Sequence, residues 1–303
     1  MYLCAVNHDE LIKRLTPLHG AGEARAIVRM VMEERFGLSQ TDLLLGKDTT
    51  LSSSDRTEFE KIALRLLAGE PVQHILGYAD FCGHRFRITS DVLIPRPETE
   101  QLVAYAAPIL KSLNPQIFKS SHILDLCTGS GCIAISLALA FPEAQVTAVD
   151  ISDNALTIAR ENAGALRATN VTFVQQDILN PSISSAVGFG RTGASPFSLI
   201  TANPPYVRAS EAASMSPTVL DYEPSLALFV SDDDPLIFYR AIARIGLETL
   251  MPDGFIMVEL NAALVDSTRS LFVEAGYADV LLINDQFARP RFLCGRKSPS
   301  SRS

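Results

Sequence analysis

The chain has 303 residues, 47% of them hydrophobic and 20% charged, with a formal net charge of −8, which fits one large α/β domain with a sizeable core plus a smaller domain. The acidic balance argues against broad binding to phosphate backbones, which relies on Lys and Arg, so no nucleic-acid partner is expected, although a local basic groove stays open. No apolar run is long enough to span a bilayer, and residues 1–10 carry acids and no apolar core, unlike a secretory or organellar address, so a cytoplasmic protein without a membrane partner is expected.

The first 75 residues read as a helical domain. Ala24, Ile27, Val28 and Val31 recur at helical spacing, and Gly37 follows as a stop. A second helix opens on capping side chains at 52–55, carries the stripe Phe59, Ile62, Ala63, Leu66 and Leu67, and ends at Gly69. Residues 76–97 read as a β-hairpin connector, with Phe81, Phe86 and Ile88 set among Gly77, Gly83 and polar residues. Pro95-Arg96-Pro97-Glu98-Thr99-Glu100 then leads into a helix over 101–113.

From residue 120 a strand–helix rhythm begins. Strands are predicted at 122–126, 145–150, 171–174, 197–202 and 255–260, with helices at 132–141 and 154–165 between the first three. Residues 180–195, rich in Gly and Ser, read as a mobile loop, and Pro252-Asp253-Gly254 as a turn. Residues 280–283 and 291–295 are expected to pair as an antiparallel edge hairpin. Such alternation implies a doubly wound, mostly parallel α/β sheet, placed here at 98–297, with a disordered tail at 298–303. The five cysteines, Cys4, Cys82, Cys127, Cys132 and Cys294, form no Cys-x-x-Cys pair and read as reduced, mostly buried thiols. His74, His84 and His122 show no metal-ligand spacing, so no metal is expected, and no Ser-His-Asp arrangement is legible.

The turn after the first strand of this sheet, Asp125-Leu126-Cys127-Thr128-Gly129-Ser130-Gly131, reads as a ligand cradle. Gly129 and Gly131 allow a tight bend and close backbone approach. Asp150 closes the next strand about 20 residues on, where a carboxylate grips ribose hydroxyls in nucleotide-binding sheets. Gly129-x-Gly131-x-x-Ala134 also fits the dinucleotide fingerprint, which keeps an NAD-dependent oxidoreductase as a rival. Asp125 weighs against it, because a carboxylate there would meet a cationic amino acid moiety and repel a pyrophosphate; a capping role for Asp125 is the plainer alternative. By topology, Asp177 and Ile178 reach an adenine edge and face.

Asn203-Pro204-Pro205-Tyr206 follows the fourth of these strands. Two consecutive prolines remove two backbone donors and fix φ twice, and Pro204 keeps Asn203 out of helical geometry. The product is a stiff corner with an amide at one end and an aromatic ring at the other, suited to holding a planar amide or amidine. Tyr206 either covers the face of that group or plugs the sheet edge.

Together these residues resemble the protein-(glutamine-N5) methyltransferases that modify peptide-chain release factors, the PrmC/HemK family. The likeness covers most of the chain and includes Gln73-His74-Ile75-Leu76-Gly77, Leu93-Ile94-Pro95-Arg96-Pro97-Glu98-Thr99-Glu100, the glycine turn, the Asn-Pro-Pro-Tyr loop and Tyr222-Glu223-Pro224-Ser225-Leu226-Ala227-Leu228. It implies a seven-stranded Rossmann-like methyltransferase sheet with an N-terminal helical domain that recognises the substrate protein, S-adenosyl-L-methionine as donor, and the glutamine of a Gly-Gly-Gln loop in class I release factors as acceptor; a monomer is expected. Carried over by position, Cys127, Thr128, Gly129, Ser130, Gly131, Asp150, Asp177, Ile178 and Asn203 bind the donor. Asn203, Pro204 and Tyr206 are the catalytic set, and Asn203 to Tyr206 with Arg96 and Glu223 bind the acceptor. Arg96 either holds the acceptor loop or pairs with Glu98 or Glu100, and Glu223 braces the loop after Tyr206. Three positions depart from the pattern: Cys127 stands where many relatives have glycine, Ile178 where some have an aromatic, and Glu259-Leu260-Asn261 replaces a Glu-Ile-Gly-like ending. In the implied reaction the Asn203 side-chain oxygen and the Pro204 carbonyl accept the two amide N–H groups and hold the nitrogen in line with the methyl–sulfur axis. Two further rivals share parts of this pattern: an adenine-N6 nucleic-acid methyltransferase, which would call for a cationic, aromatic base-flipping surface, and a release-factor binding module with a dead cofactor fold.

Overall fold

The computed structural model describes residues 7–112, 121–188 and 196–299. It divides into two compact units, Met1–Tyr78 with Ser216–Tyr222, and Ala79–Met215 with Glu223–Ser303. No helix among the described residues is long and apolar enough to cross a membrane.

The first unit is helical: α1 (His8–His19), α2 (Ala21–Phe36), α3 (Gln40–Leu44), α4 (Ser53–Leu67) and α5 (Val72–Leu76). Each start and stop has a local cause. Asn7 and Ser52 cap α1 and α4 by accepting backbone N–H bonds from Glu10 and Asp55, and Gly37 closes α2 in the left-handed region at φ 64°. The predicted stripes are buried, Leu67 only partly: Ala24, Ile27, Val28 and Val31 of α2 share one core with Phe59, Ile62, Ala63 and Leu66 of α4 and with Leu11 and Leu15 of α1. The helix Pro217–Tyr222 belongs to the same unit, where the Tyr222 hydroxyl donates to the Ala68 carbonyl at 3.2 Å.

The second unit opens on a hairpin, β1 (Tyr78–Phe81) and β2 (His84–Arg87). Its sheet has seven strands: β3 (His122–Leu126), β4 (Gln145–Asp150), β5 (Val171–Gln175), β6 (Phe197–Ala202), β9 (Leu250–Glu259), β10 (Tyr277–Asn284) and β11 (Pro290–Lys297). Two short strands, β7 (Val207–Arg208) and β8 (Phe229–Val230), pair apart from it. The order is β10-β11-β9-β6-β3-β4-β5. β3, β4, β5, β6 and β9 run parallel, and β11 is antiparallel to both of its neighbours. Side chains alternate between two cores, as the strand period of two requires. Ile123, Leu199, Met257 and Phe292 enter one core; Leu124, Ile200, Ile256 and Leu293 enter the other. α6 (Glu100–Ser112) and α7 (Cys132–Ala140) cover the first, and α8 (Asp153–Leu166) flanks β4 and β5. α9 (Ile183–Ala186), α10 (Ile237–Thr249) and α11 (Val265–Glu274) lie on the second.

Three predicted elements change on inspection. Pro252-Asp253-Gly254 is no turn: β9 runs through it as a bulge, with Asp253 at φ 62° and a register slip between the pairs Phe197↔Leu250 and Leu199↔Phe255. The hairpin at the end of the chain is not wholly an edge, because β11 lies inside the sheet between β9 and β10. In the expected loop 180–195, α9 buries Ile183 completely; residues 189–195, Cys4, Leu113 and most of the expected tail lie outside the described residues.

Gly246 of α10 is a packing requirement. A Cβ there would sit 2.0 Å from the Tyr277 hydroxyl oxygen and 3.1 Å from Ile256, and that hydroxyl is pinned by its bond to the Ala243 carbonyl at 2.8 Å. Overpacking costs about 1–3 kcal/mol, more than the helix propensity gained from alanine, at most about 1 kcal/mol. Gly246→Ala is therefore expected to lower the thermal midpoint by several degrees, and adding Tyr277→Phe should recover part of that loss; an unchanged midpoint in the single variant would refute the packing account.

Candidate functional site

In a doubly wound sheet the ligand crevice lies beyond the carboxyl ends of the parallel strands. Here those ends are Leu126, Asp150, Gln175 and Ala202. A cavity of about 340 Å³ opens there, within the range of small-molecule sites. Cys127, Thr128, Gly129, Ser130, Asp150, Asp177, Ile178, Asn203, Pro205 and Arg96 line it. Gly131, Pro204, Tyr206 and Glu223 adjoin lining residues in the chain but are not among them.

The glycine turn is built from both strands that flank it. The Thr128 N–H donates to the Val149 carbonyl at 3.0 Å, and the Gly129 N–H to Asp150 Oδ2 at 2.8 Å. Gly129 has φ 55°, and a Cβ there would meet nothing within 4 Å, so the backbone faces open cavity. Gly131 has a different reason: a Cβ would come within 2.8 Å of Ile135 and 3.1 Å of Ala159, so its absence lets α7 and α8 approach. Asn162 of α8 secures the turn, donating to the Ser130 carbonyl at 2.9 Å while exchanging two bonds with the backbone of Arg87. Cys127 holds φ 59° without being glycine.

Asp125 makes the contacts of a turn residue and is not part of the cavity lining. It is fully buried and accepts from Thr128 Oγ1 at 2.7 Å and from Thr201 Oγ1, its cross-strand partner, at 2.6 Å. Asp150 projects into the cavity, although its two oxygens already accept from Gly129 and Ser152. Burial raises its carboxyl, and the backbone donors Ser152, Gly129 and Ile151 oppose that rise. Burial, followed by the charges of Asp150, Asp125 and Asp177, pushes the Cys127 thiol well above its ordinary value, which leaves it neutral and a poor nucleophile.

The charged groups of the lining are Asp91, Asp150, Asp177 and Arg96. Arg96 is already committed. It pairs with Glu223 at 2.6 Å, and not with Glu98 or Glu100. Glu223, 5% exposed, also accepts from the Ile94 N–H at 3.1 Å. One carboxylate thus ties the wall at Leu93, Pro95 and Arg96 to the wall at Pro224, Leu226 and Ala227. With its one arginine neutralised, the cavity presents net negative charge and favours a cation over a pyrophosphate.

The corner after β6 is braced from behind. The Tyr206 hydroxyl donates to Glu259 Oε1 at 2.9 Å, and the Asn261 side-chain amide donates to the Tyr206 carbonyl at 2.8 Å. Glu259 Oε2 accepts from Thr99 Oγ1, itself part of the cavity wall, at 2.8 Å. The sequence places Thr99 within the segment 93–100 and marks Glu259-Leu260-Asn261 as a departure, but gives none of them a site role; the available signal is a Glu and an Asn at the end of an apolar strand, where a buried polar group needs partners.

Comparison with known proteins was made on sequence and on structure. Residues 11–77 match the family described as PrmC N-terminal domain, and residues 117–209 match the family described as Methyltransferase domain. A release factor glutamine methyltransferase of Bacteroides thetaiotaomicron is 42% identical, over 93% of this chain and 96% of that protein. One from Flavobacterium psychrophilum is 35% identical, over 94% and 95%. A crystal structure of a release factor-specific protein-(glutamine-N5) methyltransferase from Alicyclobacillus acidocaldarius is 28% identical, with a TM-score of 0.41, over 71% of this chain and all of that one.

The buried turn carries a pH dependence. Burial pushes Asp125 up to about 7, against the bonds from Thr201 and Thr128. An unfolded aspartate titrates near 3.9, so the folded state holds the extra proton in between, and stability contributed by this group is present at low pH and lost as pH rises from about 4 to about 7. At about 1.4 kcal/mol for each pH unit the loss is at most about 4 kcal/mol. Asp125→Asn should remove it: urea midpoints measured at pH 5 and pH 8 should fall more for the wild type than for the variant, and parallel changes would contradict the assignment.

Proposed function

The chain belongs to the release factor glutamine methyltransferase family, and from that premise we propose that it transfers a methyl group from S-adenosyl-L-methionine to the side-chain amide nitrogen of the Gly-Gly-Gln glutamine of class I peptide-chain release factors. The observation that carries this reading is geometric. Asn203 and Pro205 of the proline corner line the same acidic cavity as Gly129 and Asp150, so an amide held at the corner lies at the edge of the donor pocket.

The cavity suits the donor. Asp150 keeps lone pairs for ribose hydroxyls after accepting from Gly129 and Ser152. Ile178, 4% exposed, and Ile151 offer apolar faces to a base, and the surplus of carboxylates complements a donor carrying positive charge. When bound, S-adenosyl-L-methionine supplies an electrophilic methyl group on a sulfonium.

The protein's own work is orientation. An amide nitrogen is a poor nucleophile because its lone pair is delocalised into the carbonyl; the rotation barrier of about 18–20 kcal/mol measures that delocalisation. The Asn203 side-chain oxygen and the Pro204 carbonyl accept the two amide N–H groups and fix the plane of the acceptor. Each bond contributes about 0.5–1.5 kcal/mol net, whereas positioning contributes up to about 7–11 kcal/mol, so placement outweighs bond strength. Tyr206 is no base: burial and Glu259 push its phenol well above 10, and its proton already points at Glu259. It sets the angle of the corner.

Asn203→Ala tests the reading. With purified release factor, labelled donor and nucleic acid as control acceptor, the wild type is expected to label the factor alone, and the variant to lose at least about a hundredfold in rate. Calorimetric affinity for S-adenosylhomocysteine should stay near the wild-type value where the glycine turn and Asp150 carry the donor. Wild-type turnover by the variant, or labelling of nucleic acid in place of protein, would overturn the assignment.

A further inference from the structure

The carboxylate of Glu259 lies at the end of β9 and is 1% exposed. Such a group is retained only when it is hydrogen-bonded. Two hydroxyls bond it: Tyr206 Oη on one oxygen and Thr99 Oγ1 on the other, at 2.9 and 2.8 Å. Tyr206 ends the proline corner, and Thr99 belongs to the cavity wall. These two donors come from segments far apart in sequence, and a single rigid group sets the distance between them.

We propose that Glu259 is a positioning residue for methyl transfer: by accepting from Thr99 and Tyr206 at once, its ionised carboxylate locks the proline corner against the cavity wall, and neutralising it loosens the clamp. The inference rests on the functional reading above. An ionised carboxylate accepts only, so both hydroxyls donate to it. A carboxylic acid or a carboxamide donates from one side, so one of the two hydroxyls must turn to accept, and the charge-assisted pair of bonds that holds the corner is weakened.

The surroundings give this a pH signature. Burial raises Glu259 above 4.5, while the bonds from Thr99 and Tyr206 and the charge of Arg291 oppose the rise and Glu98 adds to it. The groups facing it are Arg291 of β11, 3.9 Å away and also paired with Asp285, Glu98 of the Pro97–Thr99 turn, Tyr206, and Tyr239 of α10, whose hydroxyl donates to the Glu259 carbonyl. A carboxylate raised in this way gains its proton earlier on acidification than a free one, so turnover should fall on the acid side above the ordinary carboxylate range.

The test is the rate of methylation of purified release factor from about pH 5 to 9 at saturating donor, for the wild type, Glu259→Gln, Tyr206→Phe and the double variant. Glu259→Gln is expected to lower kcat by about ten- to a hundredfold, the scale of a hydrogen bond to a charged group, and to lose the acid limb. The KM for release factor and the affinity for S-adenosylhomocysteine should stay within about twofold. Tyr206→Phe should give a comparable loss, and the double variant no more than the larger single one, because both break one link. Wild-type kcat with an intact acid limb in Glu259→Gln overturns the inference. So does a parallel fall of kcat, donor affinity and thermal midpoint, which marks a merely structural residue, and so do fully multiplicative losses in the double variant. If Glu259→Gln does not fold, Tyr206→Phe and Thr99→Val each remove one donor hydroxyl, and unchanged kcat in both also overturns it. A wild-type enzyme that fails to methylate release factor overturns the functional reading, and this inference with it, before any variant is made.

Discussion

Two consecutive prolines at the end of a buried strand set the terms for this site. Pro204 and Pro205 have no N–H to give, so the corner after β6 cannot be fastened by a backbone ladder. Ring closure makes it stiff but does not say where it points. That task passes to the residues on either side. Val207 and Arg208 pair with Phe229 and Val230, Asn261 donates to the Tyr206 carbonyl, and Glu259 takes the Tyr206 hydroxyl. Asn261 also reaches Glu211, which accepts from the Arg208 N–H and guanidinium. The corner is thus rigid by covalent structure and aimed by side chains, and the aiming side chains are polar and largely buried.

Buried polar groups of this kind are costly unless satisfied, and the second unit spends them in three places that share a plan. Asp125 links β3 to β6 and to the glycine turn. Glu223 links the Ile94–Arg96 stretch to the Pro224 stretch. Glu259 links the wall at Thr99 to the proline corner. In each case one carboxylate joins segments far apart in sequence, which apolar packing, being non-directional, cannot specify as sharply. The acids of the lining itself, Asp91, Asp150 and Asp177, leave a negative field over the cavity, since Arg96 is paired with Glu223. The buried carboxylates thus place the walls, and the lining acids set the sign of the ligand.

How much of this was legible follows from how local the cause is. The strand–helix rhythm and the helical unit were readable, because hydrophobic period and caps are properties of neighbouring residues: the Ser52 cap, the Ala24 to Val31 stripe and the runs at 122–126 and 197–202 all carry their own explanation. The family likeness was readable from Asn203-Pro204-Pro205-Tyr206 and the segment around Arg96. The bulge at Asp253 was not, since Pro-Asp-Gly has the chemistry of a turn, and only the pairing with β6 keeps it within a strand. For Arg96 the sequence offers the acceptor loop or an ion pair with its near neighbours Glu98 or Glu100, whereas its ion-pair partner is Glu223, far along the chain. Thr99 and Glu259 are likewise a pair that no window of sequence contains. Long-range polar pairs have no periodicity to betray them.

The clamp itself does not explain the choice of acceptor. In the proposed clamp a carbonyl and an amide oxygen would receive two N–H groups from a planar nitrogen, and they would fit a glutamine side chain and the exocyclic amine of adenine alike, because both present an sp² carbon bearing NH₂. Discrimination has to come from what surrounds that nitrogen. A flipped base brings a phosphate backbone, and the net charge of −8 together with an acid-lined cavity whose one arginine is neutralised by Glu223 makes that backbone costly to approach. A glutamine on a polypeptide loop carries no such charge. The acidity that favours a cationic donor thus also biases the acceptor toward protein, so one electrostatic feature bears on both substrates of the reaction.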